Sequence, residues 1–94
     1  MSALAKPSPR TVSTFAVVAE ATPGTLERVI AVLARGFPMP RRFASTHHHR
    51  AGRLALNLEL ADLEPGKANL LAARLRGLVG VEKVFVATSD EDAG

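Results

Sequence analysis

The chain has 94 residues, 47% of them apolar and 22% charged, with a formal charge of +3; this is the composition of one ordinary globular domain and argues against wholesale disorder or a fibrous chain. It contains no cysteine, which removes disulfides, thiolate nucleophiles, iron–sulfur clusters and cysteine-ligated zinc. No apolar run approaches the roughly 20 residues of a spanning helix and the first residues have no signal-peptide core, so the expectation is a cytoplasmic chain without membrane attachment.

Residues 1–10 hold prolines and serines with little periodicity and read as a flexible tail, while 89–94 carry Asp90, Glu91 and Asp92 without an apolar partner and read as an acidic tail. The domain itself is expected over 11–88. Its first strand, Val12-Ser13-Thr14-Phe15-Ala16-Val17-Val18-Ala19, places apolar residues on both faces, the pattern of a strand buried on both sides. Thr22 then suits a helix N-cap and Pro23 the first helical position, where a missing N–H is harmless. Leu26, Val29, Ile30 and Leu33 recur at helical spacing as one stripe, with Glu27, Arg28 and Arg35 off it, and Gly36 is expected to end the helix at C′.

Residues 39–47, with prolines at 38 and 40, suit an edge strand, because proline cannot donate to a central ladder. Arg50-Ala51-Gly52 supplies turn chemistry. The next strand, Arg53-Leu54-Ala55-Leu56-Asn57-Leu58-Glu59-Leu60, alternates cleanly and turns its leucines to the core. Pro65 and Gly66 open a second helix whose stripe is Ala68, Leu71, Ala72, Leu75 and Leu78, and Gly80 precedes a last strand over 81–87.

The order βαββαβ, with two right-handed crossovers around a hairpin, gives a ferredoxin-like α/β domain. It is an α+β sandwich: a four-stranded antiparallel sheet of order 4-1-3-2 with both helices on one face. The other face stays uncovered, leaving Ala16, Val18 and Ala55 open. Exposed apolar sheet is normally covered, and self-association is the expected cover.

Ala21-Thr22-Pro23-Gly24-Thr25-Leu26-Glu27-Arg28-Val29 followed by Ala34-Arg35-Gly36-Phe37 resembles the strand–loop–helix of ACT domains, which are amino-acid-sensing regulatory modules. More narrowly, Thr25-Leu26-Glu27-Arg28-Val29, Asn57-Leu58-Glu59-Leu60, and Leu75-Arg76-Gly77-Leu78-Val79-Gly80-Val81 with Val84 are similar to the short regulatory small subunits of acetohydroxyacid (acetolactate) synthase. The match runs in order over about residues 12–87. It implies a non-catalytic subunit of branched-chain amino-acid biosynthesis that forms a homodimer or higher homo-oligomer and docks on the catalytic large subunit. Thiamine diphosphate, FAD and magnesium would belong to that large subunit, with no cofactor in this chain. A free-standing ACT amino-acid sensor is the alternative.

The resemblance also implies that a branched-chain amino acid binds at the loop Thr22, Pro23, Gly24, Thr25 and Leu26. N–H groups of Gly24, Thr25 and Leu26 at a helix N-terminus are expected to point outward, where the helix dipole favours a carboxylate. Effector-binding relatives often carry Asn or Asp just before the Pro-Gly, whereas this chain has Ala21-Thr22. An assembly or activation role needs no such residue. Arg41, Arg42, Arg50 and Arg53, with His47-His48-His49, form the most basic stretch and are the candidate partner contacts.

Consecutive histidines on a strand put His47 and His49 on one face and His48 on the other, too few ligands for a metal site, so none is assigned. RNA-recognition domains share this topology, but they stack bases on aromatics of the central strands, and 54–60 has none; nucleic acid is not the expected partner. No Ser/His/Asp or Cys/His set and no phosphate loop is recognisable, and Glu59, Asp62 and Glu64 are spread along a strand end and loop, so no enzyme is expected.

Overall fold

The computed structural model describes residues 10–91; positions 1–9 and 92–94 of the expected tails lie outside that range. Along the chain run β1 (Arg10–Glu20), α1 (Pro23–Leu33), β2 (Arg42–His48), β3 (Arg53–Ala61), α2 (Pro65–Arg76) and β4 (Val81–Glu91). All strand pairs are antiparallel and their order is β2-β3-β1-β4, the ferredoxin-like arrangement expected, read from the opposite edge.

Register explains the core. Ser13, Phe15, Val17 and Ala19 of β1 lie opposite Leu60, Leu58, Leu56 and Leu54 of β3, and all of these are buried. Against that layer α2 presses Ala68, Leu71, Ala72 and Leu75, and α1 presses Thr25, Val29 and Leu33. Burying an aliphatic side chain of this size contributes about 1.5–3 kcal/mol, so most of the folding free energy resides here. Ser13 is fully buried yet satisfied, with its Oγ 3.2 Å from Thr88 Oγ1 on β4.

Four expectations are corrected. β1 is not buried on both sides: Val12 is, but Thr14, Ala16 and Val18 on the same open face remain half-exposed, because no helix crosses that surface. Ile30 is not a core residue. The row facing the sheet is Thr25, Val29 and Leu33, four residues apart, which turns Ile30 onto the flank above β2, 54% exposed. Gly36, at φ +103, stands one place beyond C′, since Ala34 caps α1 and the last turn tightens through Arg35 N–H to Val32 O at 3.1 Å, postponing the left-handed step. Finally, β4 continues through Ser89 and Asp90, opposite Val12 and Thr11 of β1; an edge strand there is held by ladder hydrogen bonds and needs no apolar partner.

Candidate functional site

The N-terminus of α1 is where distant parts of the chain are latched together. Thr22 Oγ1 accepts from Thr25 N–H at 3.3 Å and lies 3.1 Å from Thr25 Oγ1, and the Thr25 side chain is fully buried. Glu20 N–H donates to Gly80 O at 2.8 Å, tying the end of β1 to the turn before β4. Gly80 sits at φ +93, and a Cβ there would stand 3.2 Å from Thr25 Oγ1 and 3.3 Å from Glu20 Oε1. Only glycine combines that backbone with that closeness. Arg28 reaches across to donate to Val79 O at 3.2 Å.

Thr22 caps α1 and Pro23, Gly24, Thr25 and Leu26 form its first turn, and one expectation about them is corrected. The Thr25 N–H does not point outward to a ligand, because it is occupied by the Thr22 hydroxyl and by Thr22 O at 3.1 Å. Beside this loop, α1 and β2 leave a cavity of about 360 Å³ whose walls include Thr22, Pro23, Leu26, Ser45, His47 and Leu54. That volume falls in the range of small-molecule sites. His47 thus joins the loop, a partner that no local motif announces, since it arrives by strand pairing from 25 positions after Thr22. Its ring lies 6.3 Å from that of His49, edge to face. Among the described residues, no group of three or more His, Asp or Glu is placed to hold a metal ion.

Towards the other end of α1 lies a second, apolar groove of about 500 Å³, with Ile30, Phe37, Met39, Pro40 and Phe43 among its walls. Met39 is 88% exposed and Phe43 39%. Phe37 is held from behind by Lys67 Nζ, 5.1 Å from its ring centroid, and Lys67 also donates to Gly36 O at 3.1 Å.

The basic residues divide into two pairs, one at each end of β2. Arg41 Nε lies 3.1 Å from Glu59 Oε1, and Arg42 stands opposite Glu59 in the register. At the far end, Arg53 Nε lies 3.0 Å from the Glu82 carboxylate, and Arg50 is exposed in the turn after β2. Seven residues of strand put about 20 Å between the pairs. On the open face Ala16 and Asn57 stand opposite one another, and the β4 neighbour of Ala16 is Phe85, 58% exposed. Phe15 points into the core and is unavailable for stacking.

The sequence pattern of ACT-like domains matches residues 6–93. The chain belongs to the ACT-like domain family. ACT domains are regulatory domains rather than catalytic ones. No curated protein sequence matches this one. Among solved structures, the crystallised ACT domain of the GTP pyrophosphokinase of Chlorobium tepidum superposes with a TM-score of 0.71 at 20% identity, covering 81% of this chain and 96% of that one. The C-terminal domain of the MgtC protein of Mycobacterium tuberculosis gives 0.69 at 13% identity, covering 94% and 97%. A formyltetrahydrofolate deformylase of Pseudomonas putida KT2440 gives 0.58 at 16% identity, covering 83% of this ACT-like chain but 28% of the deformylase. At these identities the likeness is one of fold. Neither helix of the described residues is long and apolar enough to cross a membrane.

Proposed function

We propose that this ACT-like domain is the non-catalytic regulatory small subunit of acetohydroxyacid synthase, which self-associates and docks on the catalytic large subunit to hold it in its active conformation. The observation that carries the reading is the packing of Gly80 against Thr25. It makes two of the resembling segments, 25–29 and 75–81, one structural unit, with Arg28 bonded to Val79 O as a second tie. The chemistry, with thiamine diphosphate, FAD and magnesium, belongs to the partner.

Self-association is assigned to the β2 edge and not to the open sheet face expected from the sequence, where Ala16, Ala55 and Asn57 are small or polar. The opposite edge is blunted: β4 carries an irregularity where Val18 and Ala19 pair with it, and Arg76 of α2 donates to Val84 O at 3.0 Å. β2 pairs with β3 without interruption from Arg42 to His48, and the groove lined by Ile30 and Phe43 runs alongside it. An added strand from a second copy would extend the ladder and cover the apolar flank of α1 together.

The test is to mix the purified protein with the large subunit and follow both co-elution and acetolactate formation. Co-elution with a raised rate is the expected result; no co-elution and an unchanged rate reject the proposal. The cavity at Thr22, Leu26 and His47 favours a second reading, a free-standing sensor of a branched-chain amino acid. Valine, leucine or isoleucine at 100 times its dissociation constant would then add about 2.7 kcal/mol to stability, and an unmoved melting temperature with each of them dismisses sensing.

A further inference from the structure

Two copies joined along β2 by a two-fold axis perpendicular to the sheet must pair residues whose numbers have a constant sum. Full use of the seven-residue strand Arg42–His48 centres the axis on Ser45. Ser45 then faces itself, Ala44 faces the partner's Thr46, and Phe43 faces the partner's His47. Beyond them Arg42 faces the partner's His48, and Arg41 comes level with the partner's His49. The stretch from Arg41 to His49 is therefore a chemical palindrome, basic–basic–aromatic at one end and aromatic–basic–basic at the other, provided the imidazoles are read as bases.

We infer that this juxtaposition makes the assembly pH-gated: a second copy binds when the histidines are neutral and is expelled when they take up protons. The inference rests on the β2-edge assembly proposed above. His47, exposed in the single chain on the rim of a cavity that Pro23, Leu26 and Leu54 also line, offers when neutral an aromatic surface to the partner's Phe43. Neutral His48 accepts a hydrogen bond from the partner's Arg42. Once protonated, His48 and His49 place cations opposite Arg42 and Arg41, and His47 carries a charge into an apolar cleft.

The surrounding charges do not cancel this change. From β3, Glu59 faces both Arg41 and Arg42, and it is already 3.1 Å from Arg41 Nε. His48 stands opposite Arg53 of β3, whose guanidinium is committed to Glu82 of β4; Glu20 of β1 lies opposite Arg53 on its other side. From α1 and the loop before it, the residues facing His47 are Thr22, Pro23 and Leu26, none of them charged. The dimer is accordingly favoured while these histidines are neutral and weakened as they take up protons on lowering the pH.

Sedimentation equilibrium of the full chain at about pH 7.5 and about pH 5.5, at one ionic strength, reads this directly, with circular dichroism confirming the fold at both. The expected result is a dimer at the higher pH whose dissociation constant rises by about tenfold or more at the lower, since like charges directly opposite one another are destabilising and several pairs act together. The double variant His48→Gln, His49→Gln is expected to show a clearly smaller rise in dissociation constant between the two pH values, the remainder coming from His47. A wild-type dimer equally tight at both pH values overturns the gate and leaves the assembly standing. A variant as pH-sensitive as the wild type overturns the assignment to these histidines. A monomer at the higher pH overturns the assembly itself, and the gate with it.

Discussion

On the helix-covered side of β3, Leu54, Leu56, Leu58 and Leu60 are no more than 6% exposed, whereas across the same strand Asn57 is exposed and Ala55 and Glu59 are half-exposed. One strand thus carries the core on one surface and a small-residue, charge-edged surface on the other. The difference teaches where stability and recognition are separated. Changes on the first surface act on folding, and changes on the second, or along β2, act on what the folded domain meets.

The largest effect is expected at Leu58, fully buried between Phe15 and Phe43 in the register. Leu58→Ala should lower unfolding free energy by about 3 kcal/mol in a urea titration, through lost transfer energy and the cavity left behind. A loss under 1 kcal/mol (roughly the cost of a surface change) would break the contrast between faces. Gly80→Ala should cost about 2 kcal/mol, because it imposes a left-handed residue and crowds Thr25 Oγ1 at once. The two helix starts sharpen the comparison further. Thr22→Ala removes the hydroxyl that caps α1 and should cost about 1 kcal/mol, while Glu64→Ala, at a cap that makes no side-chain hydrogen bond, should fall within about 0.5 kcal/mol of wild type. Smallest is Phe85→Ser on the open face, expected to leave the melting temperature of the isolated chain within about 2 °C.

The alternation of β3, the Thr22-Pro23 cap and the α2 stripe from Ala68 to Leu75 were legible because each is a local rule of period or capping, and together they fix the topology; Leu78, expected on that stripe, falls in the turn after α2, which ends at Arg76. Ile30 was misplaced because helical spacing alone admits two neighbouring faces, and only the end of the sheet at β2 decides between them. Ser89 and Asp90 looked like a tail because ladder pairing on an edge leaves no apolar signature. The candidate loop was readable at Thr22, Pro23 and Leu26, but His47 and Gly80 reach it through strand pairing, which no sequence window spans. Nor could spacing reveal that the Thr25 N–H is spent on Thr22.

The proposed assembly requires the two edges of this sheet to be unlike, with β2 pairing to a second copy and β4 closed. Hydrogen exchange of backbone amides at low and high protein concentration measures it residue by residue. Protection over 42–48 should grow with concentration while 81–91 stays constant; protection that ignores concentration along β2, or that grows along β4 instead, would contradict the account.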